Sequence, residues 1–271
     1  MMFRSFFDPM PKVVAHRGDS AHFPENTLHA FESAYAMGVD VIETDVHLSK
    51  DGEVVIWHDP TLDRNTNGSG MIEEHTLAEL KKLDAGYTFT KDGGKTFPFR
   101  GQGVQLCTLR EALRACPAQR FNVDLKSKGE AIVDAFIEVV KEEHATRRVV
   151  GASFHLTNLR MLRKKEPRIQ TSITTEEVRV LLFLEKLHLL STRPTKSPTI
   201  FQVPVRQQGI EIITPHFIRT MHKRGAVIQV WTINDEEEMR RLYQMGVDSV
   251  MTDKPELAIK VAAELGIRTT Q

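Results

Sequence analysis

KVVAHRGDSAHFPENTLHAFESAYAMGVDVIETDVHL, residues Lys12–Leu48, decides the fold. It opens on a short β-branched run, Lys12–His16, and passes through turn residues into Glu25–Met37. There Leu28, Phe31, Ala34 and Tyr35 recur at helical spacing. Gly38 follows where a left-handed helix cap is expected, and Val39–His47 is again a strand run. A strand, a helix and a second strand in close succession make a crossover unit, which joins parallel strands.

The same rhythm continues along the 271 residues. Further strand runs are Val54–His58, Arg120–Lys126, Val149–Phe154, Ile169–Ile173, Ile200–Val203, Ala226–Ile233 and Ser249–Thr252. Helical stretches are Leu109–Ala115, Glu130–His144, Leu156–Lys165, Glu176–Leu189, Pro215–Arg224, Asp235–Met245 and Pro255–Leu265. Strand and helix alternate about eight times, which a (β/α)8 TIM barrel or an open doubly wound sheet would satisfy. The repeat count, the length and the lack of a Gly-rich phosphate fingerprint after the first strand favour the barrel. Both closures place functional groups at the C-terminal strand ends. Pro60–Gln105 breaks the rhythm with Asn67-Gly68, Gly86, Gly93-Gly94, Pro98, Gly101 and Gly103. The expectation is a single domain over 1–271 with an insertion at about 60–105 over the barrel mouth, and with a short helix at Thr76–Leu83.

Lys plus Arg (36) balances Asp plus Glu (36), so no basic excess points to nucleic acid. Cys107 and Cys116 are too few for a disulfide framework and match no zinc spacing. They read as reduced thiols of a cytoplasmic protein. The N-terminal MMFRSFFDPMPK has no apolar signal core, and no run of about 18 apolar residues predicts a membrane span.

The polar residues cluster at the predicted strand ends. His16-Arg17 ends the first. Glu43 and Asp45, two apart and on one face, lie near the end of the second. His58 ends the third run, Asp124 and Lys126 the fourth and Phe154 the fifth, while Trp231 lies near the end of Ala226–Ile233. Charges at such positions are costly unless paired or bound to metal. Three carboxylates suit a hard divalent cation, Mg²⁺ or Ca²⁺. Arg17 and Lys126 beside it suit a phosphoryl group, and two histidines supply acid–base chemistry near neutral pH. The other histidines, His47 among them, are assigned structural roles.

The block AHRGDSAHFPENTLHAFESAYAMGVDVIETDVHLSKDGEVVIWHDPTLDRNTNGSG resembles the opening of the glycerophosphodiester phosphodiesterases. His-Arg-Gly, Pro-Glu-Asn-Thr, Glu-x-Asp and His-Asp-x-x-Leu-x-Arg-x-Thr occur in that order, and VWTIN (230–234) and GVDSVMTDKP (246–255) resemble the family's far end. The resemblance implies a TIM barrel, with an inserted segment after the second strand unit, that hydrolyses small-molecule glycerophosphodiesters to glycerol 3-phosphate and an alcohol. It implies His16 and His58 as the acid–base pair and Glu43, Asp45 and Asp124 as metal ligands. Arg17 and Lys126 would grip phosphate, with Phe154 and Trp231 lining the glycerol or leaving-group side. The family pattern has Glu where this chain has Asp124, one methylene shorter. Two other readings share these residues. One is a lysophospholipase D, with Phe6, Phe7, Phe89, Phe97 and Phe99 as a candidate acyl track. The other is a protein that binds phosphodiesters without cleaving them.

Overall fold

The computed structural model describes residues 6–186, 199–207 and 209–268. In chain order the elements are β1 (Val13–His16), α1 (Leu28–Ala36), β2 (Val41–Leu48), β3 (Val54–Ile56), α2 (Leu77–Leu80), α3 (Leu109–Ala115), β4 (Arg120–Leu125), α4 (Glu130–Glu142), β5 (Val149–Ala152), α5 (Leu156–Lys165), β6 (Gln170–Thr171), α6 (Thr175–Lys186), β7 (Ile200–Val203), β8 (Arg206–Gln207), β9 (Ile210–Glu211), α7 (Pro215–His222), β10 (Val227–Val230), α8 (Glu236–Met245), β11 (Ser249–Thr252) and α9 (Pro255–Glu264). The helix predicted to reach Leu189 is described as far as Lys186, and Leu189 lies outside the described residues.

Eight parallel staves run in the order β6-β5-β4-β2-β1-β11-β10-β7. A bridge between Ser172 and Ile200, with Ile173 N–H donating to the Ile200 carbonyl at 3.0 Å, links the two ends of that order. The sheet is therefore the barrel rather than the open alternative. Alternation along each stave sorts its side chains. Val14, Val41, Val150, Ile200, Val227 and Met251 pack together inside, where Phe6 and Phe7 join them. Alternate residues such as Val13, Ala15, Ile42 and Val46 belong to the layer under the helices, with Phe31, Phe121 and Phe136. Each large side chain buried there contributes roughly 1.5–3 kcal/mol.

Helix starts follow the expected chemistry. Thr27 caps α1 and Asp235 caps α8 with side-chain oxygens that accept from Ala30 and Glu238 N–H. The predicted helix at Thr76–Leu83 is a single turn, α2, held by a capping box between Thr76 and Glu79. Gly246, at φ 97°, ends α8 in the left-handed conformation.

The run Val54–His58 was expected to be a stave and is not. β3 pairs antiparallel with β2, Val46 opposite Ile56 and Leu48 opposite Val54, and lies off the barrel. The cause is local. Ser49-Lys50-Asp51-Gly52 forms a tight reversal, with Gly52 at φ 88° and its N–H on the Ser49 carbonyl. The chain thus leaves the barrel at Leu48, earlier than the predicted insertion start, and rejoins it at α3. The excursion has its own buried cluster of Val55, Trp57, Leu62, Ile72, Leu80, Ala85, Val104 and Leu106.

Both cysteines are buried and free, and burial pushes the Cys107 thiol up to about 12. No described helix is long and apolar enough to cross a membrane.

Candidate active site

Strand register assembles the site. Parallel pairing sets His16 beside Glu43, Glu43 beside Asn122, and Asp45 beside Asp124. The inward face of β2 thus carries Glu43 and Asp45 between the ends of β1 and β4. A cavity of about 200 Å³ opens there, and His16, Arg17, Glu43, Asp45, His58, Asp124, Lys126, Phe154 and Trp231 all line it. Every site residue expected from the sequence therefore faces one space, at the C-terminal end of the barrel.

The His-Arg-Gly turn has a steric reason. Gly18 sits at φ 83°, and a Cβ there would lie 2.7 Å from the Ala30 backbone carbon. Arg17 is itself left-handed at φ 57°, which aims its N–H at Glu43 Oε2, 3.1 Å away. Its Nη1 donates to Glu25 Oε1 at 2.9 Å, and its Nε lies 3.4 Å from Asp45 Oδ2.

The two histidines share one design. His16 Nδ1 lies 2.6 Å from Asp253 Oδ1, and His58 Nδ1 lies 2.6 Å from Asp59 Oδ1. A carboxylate on Nδ1 fixes the ring and leaves Nε2 for the cavity. Burial pushes the His16 pKa down, but the Asp253 hydrogen bond and the Glu43 charge outweigh it, so it stands above its ordinary value. Asp253 is braced in turn by Ser20 Oγ and Asn234 Nδ2, at 3.1 and 2.6 Å. Asp59 takes a two-pronged contact from Arg64, whose Nη2 also donates to Glu25 Oε1 at 2.6 Å. Glu25 therefore bridges Arg17 and Arg64, and links the β1 turn to the excursion carrying His58.

The acids form a graded set. Burial and the neighbouring Asp45 charge raise the Glu43 carboxyl to about 7. Asp45 is also buried, but Lys126 and Arg17 hold it below the usual carboxylate range. Its Oδ2 accepts from Asn26 Nδ2 at 2.9 Å. Burial raises Asp124 even though Lys126 stands beside it. Lys126 Nζ bridges the pair, 2.9 Å from Asp45 Oδ1 and 2.6 Å from Asp124 Oδ2, and this company raises its own pKa against burial. Among the described residues no three acid or histidine side chains are already gathered at metal-binding spacing. Yet Asp124 Oδ1 and Asn122 Oδ1, two apart on β4, are buried oxygens without a hydrogen-bond partner among the described residues. A hard cation takes donors of this kind.

The rest of the wall is mainly apolar, with Arg179, Gln202 and Gln207 in it. Ile173, Val178, Leu182, Val203 and Ile212 line it, with Trp231 beside them. Phe154, more than half exposed, sits at the rim with its ring 5.3 Å from Lys126 Nζ. The phenylalanines expected to form an acyl track do not line the cavity. Phe6 and Phe7 pack inside the barrel, while Phe89 and Phe99 stack with each other and Phe99 with Phe23.

Sequence reasoning missed Asp253, Asn234 and Arg64. His47, assigned a structural role, meets the backbone: its Nε2 lies 3.2 Å from the His58 carbonyl. The TDKP stretch in the family-like far end was the available signal for Asp253.

A parallel barrel whose rim brings two carboxylate-backed histidines and a buried acid–ammonium cluster to one cavity defines the class: a TIM barrel with a charged site at its C-terminal end. The glycerophosphoryl diester phosphodiesterase family model matches residues 16–257. A glycerophosphodiester phosphodiesterase of Caldanaerobacter subterraneus subsp. tengcongensis is 33% identical over 94% of this chain and 98% of its own. One from Bacillus altitudinis is 31% identical over 94% and 100%. An Oleispira antarctica phosphodiesterase, solved in complex with the product sn-glycerol-3-phosphate, superposes with a TM-score of 0.77 at 28% identity, covering 96% of this chain and 100% of that one. The chain belongs to the glycerophosphoryl diester phosphodiesterase family and is an enzyme of that class.

Proposed function

We propose that the cavity hydrolyses glycerophosphodiesters to glycerol 3-phosphate and an alcohol by proton transfer between His16 and His58, with a divalent cation, Mg²⁺ or Ca²⁺, held by Glu43, Asp45 and Asp124. The observation that carries this reading is the pair of histidines, each with Nδ1 against a carboxylate, flanking one charged cavity. One histidine protonates the leaving alkoxide and the other takes the proton of the nucleophile. Arg17 and Lys126 place fixed positive charge beside the phosphoryl oxygens. The bare Asp124 oxygen and the raised Glu43 carboxyl, both buried, fit a cation in donor type and charge. When bound, such an ion polarises the phosphoryl group. Release of glycerol 3-phosphate from glycerophosphocholine, with and without chelator, tests the reading. No loss with chelator would remove the cation, and full activity in His16→Ala and His58→Ala would remove the acid–base pair.

A second reading, a lysophospholipase D acting on an acyl-bearing leaving group, draws support from the Ile173–Val178–Leu182–Ile212 wall. A rat lysophospholipase D is 26% identical over 91% of this chain. Turnover of lysophosphatidylcholine against glycerophosphocholine separates the two substrates.

A further inference from the structure

The opposite end of the barrel holds a second cavity, of about 480 Å³, where β1, β2 and β4 begin. Its charged lining is Lys12, Asp40, Arg120 and Arg268, three cations to one carboxylate. That carboxylate is already engaged. Asp40 Oδ2 accepts the N–H groups of Lys12 and Val13, each at 2.9 Å. Its closest approaches to the guanidinium groups, 3.9 Å to Arg120 Nη2 and 3.8 Å to Arg268 Nε, are beyond hydrogen bonding.

The cations are correspondingly under-served in charge, although Arg268 Nη2 donates to the Gly38 carbonyl. Arg268 Nη1 is buried and has no hydrogen-bond partner among the described residues. Arg120 spends Nε and Nη1 on the carbonyls of Asp40, Phe6 and Pro9, which supply acceptors and no full charge. Burial lowers its pKa, and Asp40 with Asp8 offsets that only in part. Among the described residues Lys12 has no carboxylate within ion-pair distance. Cations drawn out of water without matching anions are unfavourable. A tetrahedral oxyanion would supply the missing charge and several acceptors at once, and guanidinium forks suit that shape.

We propose that this cavity is a second ligand site, which binds a small phosphate-type oxyanion through Lys12, Arg120 and Arg268 at the barrel end remote from catalysis. Inorganic phosphate and a phosphomonoester such as glycerol 3-phosphate present the same group. Arg120 holds the N-terminal segment in place, so the diagnostic substitutions are Lys12→Gln and Arg268→Gln.

Equilibrium dialysis of the full chain against labelled inorganic phosphate tests the site. Each substitution should weaken one class of bound phosphate about tenfold, the loss of one charge-assisted contact, while glycerophosphocholine hydrolysis stays unchanged. Binding should also fall with added NaCl. If Arg268→Gln fails to fold, Lys12→Gln decides alone. Phosphate binding untouched by these substitutions, or absent from the native chain, overturns the proposal. Glycerol 3-phosphate about tenfold tighter than phosphate at the affected site assigns it to phosphomonoesters, and equal affinity assigns it to the free ion.

Discussion

The two walls of the catalytic cavity obey different physics. On the β1–β2–β4 wall, His16, Glu43, Asp45, Asp124 and Lys126 are buried or nearly so, and each is held by a hydrogen bond or ion pair. On the wall formed by α6, β7 and the segment around β9, apolar side chains predominate, and its polar members, Arg179, Gln202 and Gln207, form no such buried ionic network among the described residues. Buried charges need partners fixed in register, and the two staves that carry the acids are long: β2 has 8 residues and β4 has 6. The lesson is that the ionic wall should respond to substitution as one unit and the apolar wall residue by residue.

The hardest blow to the ionic wall is His16→Ala, which should lower kcat/KM for a glycerophosphodiester by about 10²–10⁴. Steady-state kinetics with product assay check this. Lys126→Ala leaves Asp45 and Asp124 as buried acids without their shared ammonium, and should cost roughly 3–5 kcal/mol in urea unfolding. A cost no greater than that of an apolar-wall truncation would erase the distinction between the walls.

Gly18→Ala forces a left-handed alanine against the Ala30 backbone, and should cost about 1–3 kcal/mol and displace Arg17. Leu182→Asn, on the apolar wall, should raise KM for lysophosphatidylcholine about tenfold through lost apolar burial, and leave glycerophosphocholine unaffected. An equal change for both substrates would place the leaving group elsewhere.

The smallest effect concerns pH. Arg64 and His58 outweigh burial and hold the Asp59 carboxyl at about 2, below its ordinary 3.8. Its stabilisation is complete above 3.8 and is lost as pH falls through about 2. Asp59→Asn should remove about 1 kcal/mol of that acid-side loss, after discounting for its partial exposure. Denaturant midpoints across that window measure it.

The ionic wall was legible because its residues sit at strand ends within short, spaced motifs, and period-two alternation put Glu43 and Asp45 on one face. β3 was misread because a continuous apolar run looks the same in a buried parallel stave and in one arm of a hairpin; only Asp51-Gly52 told them apart. Asp253 could not be paired with His16 from sequence, because the contact spans 237 residues and depends on ring closure. Arg64 is the fourth residue of a motif whose geometry, not spacing, joins it to Glu25. The apolar wall was invisible for another reason. Ile173, Val178, Leu182 and Ile212 read as ordinary core residues, and the phenylalanines that drew the eye pack elsewhere.

His16 and Asp253 lie 237 residues apart, on staves that become neighbours only when β11 docks against β1. The chain between them must therefore be folded into the ring before the imidazole acquires its orienting acid. A fragment that stops ahead of β11 carries most of the charged rim yet leaves His16 Nδ1 without Asp253.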